Sequence, residues 1–260
     1  APVLQWNFES GLKDQILGVK ANLKNGAAVE NGRLILHRGG YAVSDNLPIE
    51  ISEKTLSSWV QLDNLNQRAG GVITIQNLNG GIFDSIVFAE KEPRKWMSGS
   101  NGFSRTKSFP SAPPENLAHN QLVHIAITYS PDGKITGYRN GKIYGKPYTT
   151  NLYKYQKNKS IITFGVRHLP ASRQRLLHGS ISQASVYDRA LTQSEIHAIF
   201  HPNSYVSLKE LEKSLSSEEI NLYTKLTAHQ DSLEKKLREL EATEVADVPD
   251  LEDLALALFN

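Results

Sequence analysis

His197 and His201 in SEIHAIFH stand four residues apart, a spacing that sets two imidazoles on one face of a helix and could begin a zinc site. A zinc site needs three or four ligands, no Glu stands by the pair in the zincin arrangement, and Pro202 stops the helix at once. The sequence therefore predicts two surface histidines. Asp84, Glu90 and Glu92 are the carboxylates that a glycosidase could use. A retaining enzyme needs two carboxyls about 5–5.5 Å apart, which on a strand means acids an even number of residues apart facing one cleft. No Glu-x-Asp-x-x-Glu or Glu-x-Asp-x-Glu occurs, and these three acids sit among Lys91, Pro93 and Arg94, which reads as a solvated loop. His124 lies in a strand-like run and reads as structural. The absence of Cys excludes disulfides, zinc ribbons and thiol catalysis.

Two basic, aromatic segments are better candidates. RKWMSGSNGFSRTKSF carries Arg94, Trp96, Phe103 and Arg105; VRHLPASRQRLLHG carries Arg167, His168, Arg173 and Arg175. Guanidinium groups beside aromatic faces suit sugars and their sulfate or carboxylate groups. Trp96, Arg94, Arg105, Arg167, His168 and Arg173 are the expected ligand-binding residues.

The elements that must position them read as strands. Leu4 to Phe8, Arg33 to Leu36, Leu56 to Leu62, Gly71 to Gln76, Asp84 to Ala89, Ser160 to Val166 and Gly179 to Tyr187 are short apolar or alternating runs between turn residues. In ITYSPDGKITGYRNGKIYG, Asp132-Gly133 and Asn140-Gly141 read as turns of a three-stranded meander, because tight hairpins need the positive φ that Gly and Asn tolerate. Trp6 and Trp59 fall inside strands and read as core. Helical periodicity is nearly absent before residue 190, so the fold class is all-β: an antiparallel two-sheet sandwich over residues 1–202. Thr192 and Glu195 form a capping box for a short helix beginning near Gln193.

Beyond Pro202 the character changes. Residues 203–260 hold 6 Lys+Arg against 13 Asp+Glu, a net of −7; the body is left with 23 against 14, a net of +9. The acidic tail is the nearest partner for the basic body, whose scattered cations lie in no nucleic-acid motif. Leu208, Leu211 and Leu215, then Leu222, Leu226, Leu233, Leu237 and Leu240, give two amphipathic helices, the second running from about residue 217 to 242 behind a Ser216–Glu219 capping box. ATEVADVP reads as a linker and residues 250–259 as the start of another helix. No apolar run approaches the roughly 18 residues of a membrane span. The chain starts at Ala1 without a signal peptide and is expected to be a piece of a longer protein.

LQWNFES, LSSWVQL, LVHIAITYSPDGKITGYRNGK, ITFGVR and HGSISQASVYDRALTQSEIHAIF, in that order, resemble the laminin-G-like family of the concanavalin A-like lectin and glucanase superfamily. The resemblance implies a jelly roll and a non-catalytic module that binds carbohydrate, with acidic polysaccharide a natural ligand class, or a scaffold domain docking another protein through its helical tail. It implies an extracytoplasmic location. Where relatives have an acidic pair after Gly179-x-Ile181, this chain has Ser182-Gln183; the resemblance implies a weak calcium site formed by Ser182 with oxygens near Glu9 and near Gly39 or Gly40. DLEDLALALFN is similar to the terminal helix of large planctomycete proteins that join cytochrome c-like modules to laminin-G-like domains, which implies further domains in the same polypeptide.

Overall fold

Short strands dominate the chain: Leu4–Asn7, Arg33–Leu36 and Tyr41–Ser44 alternate between buried and half-exposed residues, whereas Phe83–Phe88 and Ser160–Phe164 are buried on both faces. The computed structural model describes residues 1–201, the Arg173 side chain excepted, and further on residues 216–222, 224–226, 228–229, 232–233 and 236. The strands are β1 (Leu4–Asn7), β2 (Ala21–Lys24), β3 (Ala28–Glu30), β4 (Arg33–Leu36), β5 (Tyr41–Ser44), β6 (Lys54–Leu62), β7 (Gly70–Asn77), β8 (Phe83–Phe88), β9 (Trp96–Ser100), β10 (Val123–Tyr129), β11 (Lys134–Arg139), β12 (Lys142–Ile143), β13 (Tyr148–Thr149), β14 (Ser160–Phe164) and β15 (Gly179–Tyr187), followed by the helix α1 (Gln193–Phe200).

They form two antiparallel sheets. One runs β12-β11-β10-β6-β15-β4-β3, with β1 added to β15 and β13 to β11; the other runs β2-β5-β14-β7-β8-β9. Strands distant in sequence lie side by side, as the jelly-roll reading requires. Leu56, Val60, Ile125, Ile127, Ala184 and Val186 of the first sheet meet Ile73, Ile75, Ile86, Phe88 and Phe164 of the second. Trp6 and Phe8 set their rings edge-on against Phe164, with centroids 5.1 and 5.7 Å away. Each such buried side chain contributes roughly 1.5–3 kcal/mol.

The interior also holds charge. Lys54 and Asp84 are fully buried, with Nζ 3.1 Å from Oδ2, and Arg105 Nε donates to Asp84 Oδ1 at 2.7 Å. The Tyr155 hydroxyl donates to the same carboxylate at 3.0 Å. Burial opposes ionisation of Asp84, but Lys54 and Arg105 outweigh it and hold the carboxyl below its usual range. Lys54 comes from β6 and Asp84 from β8, so the cluster ties one sheet to the other.

The meander follows the sequence reading: Asn140 (φ 49°) and Gly141 (φ 75°) turn β11 into β12. Asn140 also accepts the His124 N–H through Oδ1 at 2.9 Å and donates its own N–H to the His124 carbonyl, which pins the turn to β10. Helix α1 begins at Gln193 with the Thr192–Glu195 capping box in place. It lies on the outer face of the first sheet, where Ile196 packs with Ala126, Tyr138, Tyr187 and Leu191. Trp59 is a correction: it faces outward from β6, half-buried, and stacks on Phe200 at 5.5 Å. β9, absent from the strands read in the sequence, is a fully buried strand.

Contacts divide the chain into units Ala1–Pro202 and Asn203–Asn260. In the second, Ser216 caps a helix from residue 217, donating its N–H to Glu219 Oε2 at 2.8 Å and accepting the Glu219 N–H. Leu222, Leu226 and Leu233 are exposed. The expected helix around Leu208–Leu215, the linker ATEVADVP and the helix at 250–259 lie outside the described residues.

Candidate functional site

Of the six expected ligand-binding residues, the structure gives three to the interior. Trp96 is 1% exposed, and its Nε1–H donates to Glu115 Oε2 at 2.8 Å. Arg139 grips the same carboxylate with Nε and Nη2 at 2.7 and 2.8 Å, and the N–H groups of Asn116, Leu117 and Ala118 point at Oε1. Burial works against a charge here, yet the bonds from Arg139, Trp96 and the Leu117 N–H hold Glu115 down at about 2. Arg94 is exposed and uses its Nε–H to reach the Glu115 carbonyl at 3.0 Å. Trp96 therefore offers no stacking face. Arg105, 4% exposed, is the root of its loop: besides Asp84 it binds the Phe83 carbonyl at 2.9 Å and Asn101 Oδ1 at 3.0 Å. Arg167 is 4% exposed and pairs with Glu90.

The two basic segments nevertheless meet. Arg167 lies over the rings of Phe83 (5.2 Å) and Phe103 (5.3 Å), His168 stacks on Phe83 at 4.6 Å, and Lys91 Nζ sits 5.0 Å from the Phe103 centroid. Arg175 is exposed and close enough to act on Glu90 electrostatically. Burial raises the Glu90 carboxyl above its usual range, with Arg167, Arg175 and Lys91 pulling it back. Phe103 itself is 45% exposed at φ 56°, a left-handed conformation that a bulky side chain adopts only under strain. Arg173 begins a short 3₁₀ turn, Arg173–Arg175, and its side chain lies outside the described set. Asp84 and Glu90, read from sequence as solvated, are both engaged by buried cations, while Glu92 pairs with Lys95.

The residues of the implied calcium site lie at two places along β4. Glu9 lies against Gly32, just before β4, near the Ser182 bulge of β15, whereas Gly39 and Gly40 lie beyond the other end of β4. Four strand residues separate the two groups, roughly 13 Å at the usual rise per residue, against calcium–oxygen bonds of about 2.3–2.6 Å. Among the described residues no three of His, Cys, Asp and Glu are placed to hold an ion. Gly40 has another role: a Cβ there would fall 2.7 Å from the Ala27 nitrogen, so the missing side chain lets two turns touch.

A groove that sequence reading missed lies beside those turns. It encloses about 650 Å³ and is lined by Asn25, Glu30, His37, Arg38, Asp63 and His178, with Ala28 and Ile35 as apolar floor. Strand register explains its assembly. Leu36, Gly179 and Leu62 are cross-strand neighbours on β4, β15 and β6, so the next residues, His37, His178 and Asp63, arrive at one end of the sheet. His37 Nδ1 is 3.3 Å from Asp63 Oδ2. The Gln67 amide fixes His178 from both sides, accepting its N–H and donating to its carbonyl at 2.8 Å each.

No functionally curated protein matches this sequence. Among solved structures, domain 4 of AbnA, an extracellular arabinanase from Geobacillus stearothermophilus in complex with arabinotriose, is similar with a TM-score of 0.59 at 16% identity, over 76% of this chain and 97% of that one. The binding domain of botulinum neurotoxin DC in complex with SialylT gives 0.51 at 14% identity, over 78% and 51%; that of serotype D gives 0.51 at 15%, over 78% and 52%. The chain thus spans about half the length of the toxin domains. At these identities the likeness is one of fold. Residues 37–197 match the laminin-G family model described as the concanavalin A-like lectin/glucanases superfamily, and the chain belongs to that family.

Proposed function

We propose that the protein is a non-catalytic carbohydrate-binding module that takes acidic polysaccharide on the face around Phe103. The observation that carries this is the meeting of two distant segments: Lys91 and Arg167 lie over a half-exposed ring, and Arg175 acts with them on Glu90, the opposing charge, a local net of +2. Lys91 and Arg175 are exposed and serve as the contact cations, and Arg167, held by Glu90, fixes the platform. Clustered cations at a low-dielectric surface attract sulfate and carboxylate groups and confer salt dependence. His168, stacked on Phe83, completes the wall.

The absence of catalysis is supported by the engagement of Asp84, Glu90 and Glu92 with cations, which leaves none of them as the free acid of a glycosidase pair. The fold is shared with binding domains, one from an extracellular enzyme in complex with an oligosaccharide. We infer an extracytoplasmic setting in a larger polypeptide, of the kind that the DLEDLALALFN segment resembles. A glycan array that includes sulfated and uronic polysaccharides tests the reading: enrichment of acidic ligands is expected, and an array at background overturns it.

A further inference from the structure

We propose that the groove at the β4–β15–β6 end is a second ligand site, separate from the Phe103 face, and that it takes a neutral glycosyl unit. Its lining mixes acceptors and donors. Glu30 and Asp63 supply carboxylate oxygens for sugar hydroxyls, while Asn25 and Arg38 supply N–H donors and His37 and His178 supply ring nitrogens. Glu30 and Asp63 outnumber Arg38, so with neutral imidazoles the formal charge is −1 and an anionic sugar is disfavoured there, opposite to the Phe103 face. Ala28 and Ile35 give the floor an apolar patch against which the C–H face of a sugar ring packs. The volume, about 650 Å³, falls in the range of small-molecule sites.

The site is built rather than accidental. His178 is clamped by the Gln67 amide, and its carbonyl also accepts the Asp63 N–H at 3.0 Å. Asn25 and Arg38 hold left-handed backbone conformations, at φ 51° and 52°, on the two turns that Gly40 lets touch.

The test uses the full chain and a panel of neutral xylo-, gluco-, manno- and arabino-oligosaccharides, read by NMR at the imidazole resonances of His37 and His178. At least one neutral probe should shift both resonances saturably. Glu30→Gln and Asp63→Asn, each checked for an unchanged melting temperature, should weaken that binding about tenfold or more, the effect of a lost charge-assisted hydrogen bond. Dextran sulfate should leave both resonances in place, and its binding should survive both variants, so this proposal and the acidic-ligand reading fail separately. Silence of both histidines towards every neutral probe, a preference of the groove for dextran sulfate, or release of reducing ends from a bound probe would each overturn it.

Discussion

Glu115 and His124 show how much single side chains contribute without facing a ligand. Glu115 gathers Trp96, Arg139 and three backbone N–H groups, so Glu115→Ala leaves a guanidinium and several donors unpaired in the interior. A loss of about 3–5 kcal/mol is expected in denaturant unfolding; a loss below about 1 kcal/mol would show that water replaces the carboxylate. His124 is fully buried, bonded through Nε2 to Ser57 Oγ at 2.8 Å, and burial depresses it to about 4. Its folded value lies below the unfolded value near 6.5, so the unfolded chain binds the extra proton between them and stability falls as pH falls through that window. Relative to His124→Phe, the wild type should lose about 3 kcal/mol between pH 6.5 and 4. A pH-independent difference would mean that burial leaves the His124 pKa at its unfolded value. At this scale the sequence was half legible: the strand position of His124 marked it as structural, but nothing near Trp96 announced Glu115, nineteen residues on in sequence.

Elements carry the positioning. The Thr192–Glu195 box and the Asn140-Gly141 turn were legible because both depend on residues within four positions of one another. Thr192→Ala should lower stability by about 1 kcal/mol, and an unchanged thermal midpoint would show that packing of Ile196 alone seats α1. β2, β3, β5 and β9 were not legible, since three are only three or four residues long and β9, WMSGS, is held by pairing with β8 rather than by its own propensity. Gly40 belongs here too. Gly40→Ala puts a methyl against the Ala27 backbone, so the two turns must separate; a loss of about 1–3 kcal/mol is expected, with shifts of the His37 and His178 resonances. Preservation of both resonances would detach the groove from this contact.

Across the whole molecule, sandwich class and family followed from many short strands in a recognisable order, whereas the sites depended on strand order, which no local pattern encodes. Leu36, Leu62 and Gly179 were already visible as strand ends, yet only their register shows that His37, Asp63 and His178 meet. The same limit misplaced the basic residues: Arg105 and Arg167 read as surface cations, and the fold turns them inward onto Asp84 and Glu90. What survives of the basic surface is its outer layer, Lys91, Phe103 and Arg175. The central claim is therefore tested most directly by calorimetric titration of the full chain with dextran sulfate across a salt series, wild type beside the double variant Lys91→Ala, Arg175→Ala. Saturable binding that weakens with salt and falls about tenfold or more in the variant is the predicted result; equal affinity in both proteins, or no binding by the wild type at low salt, would contradict it.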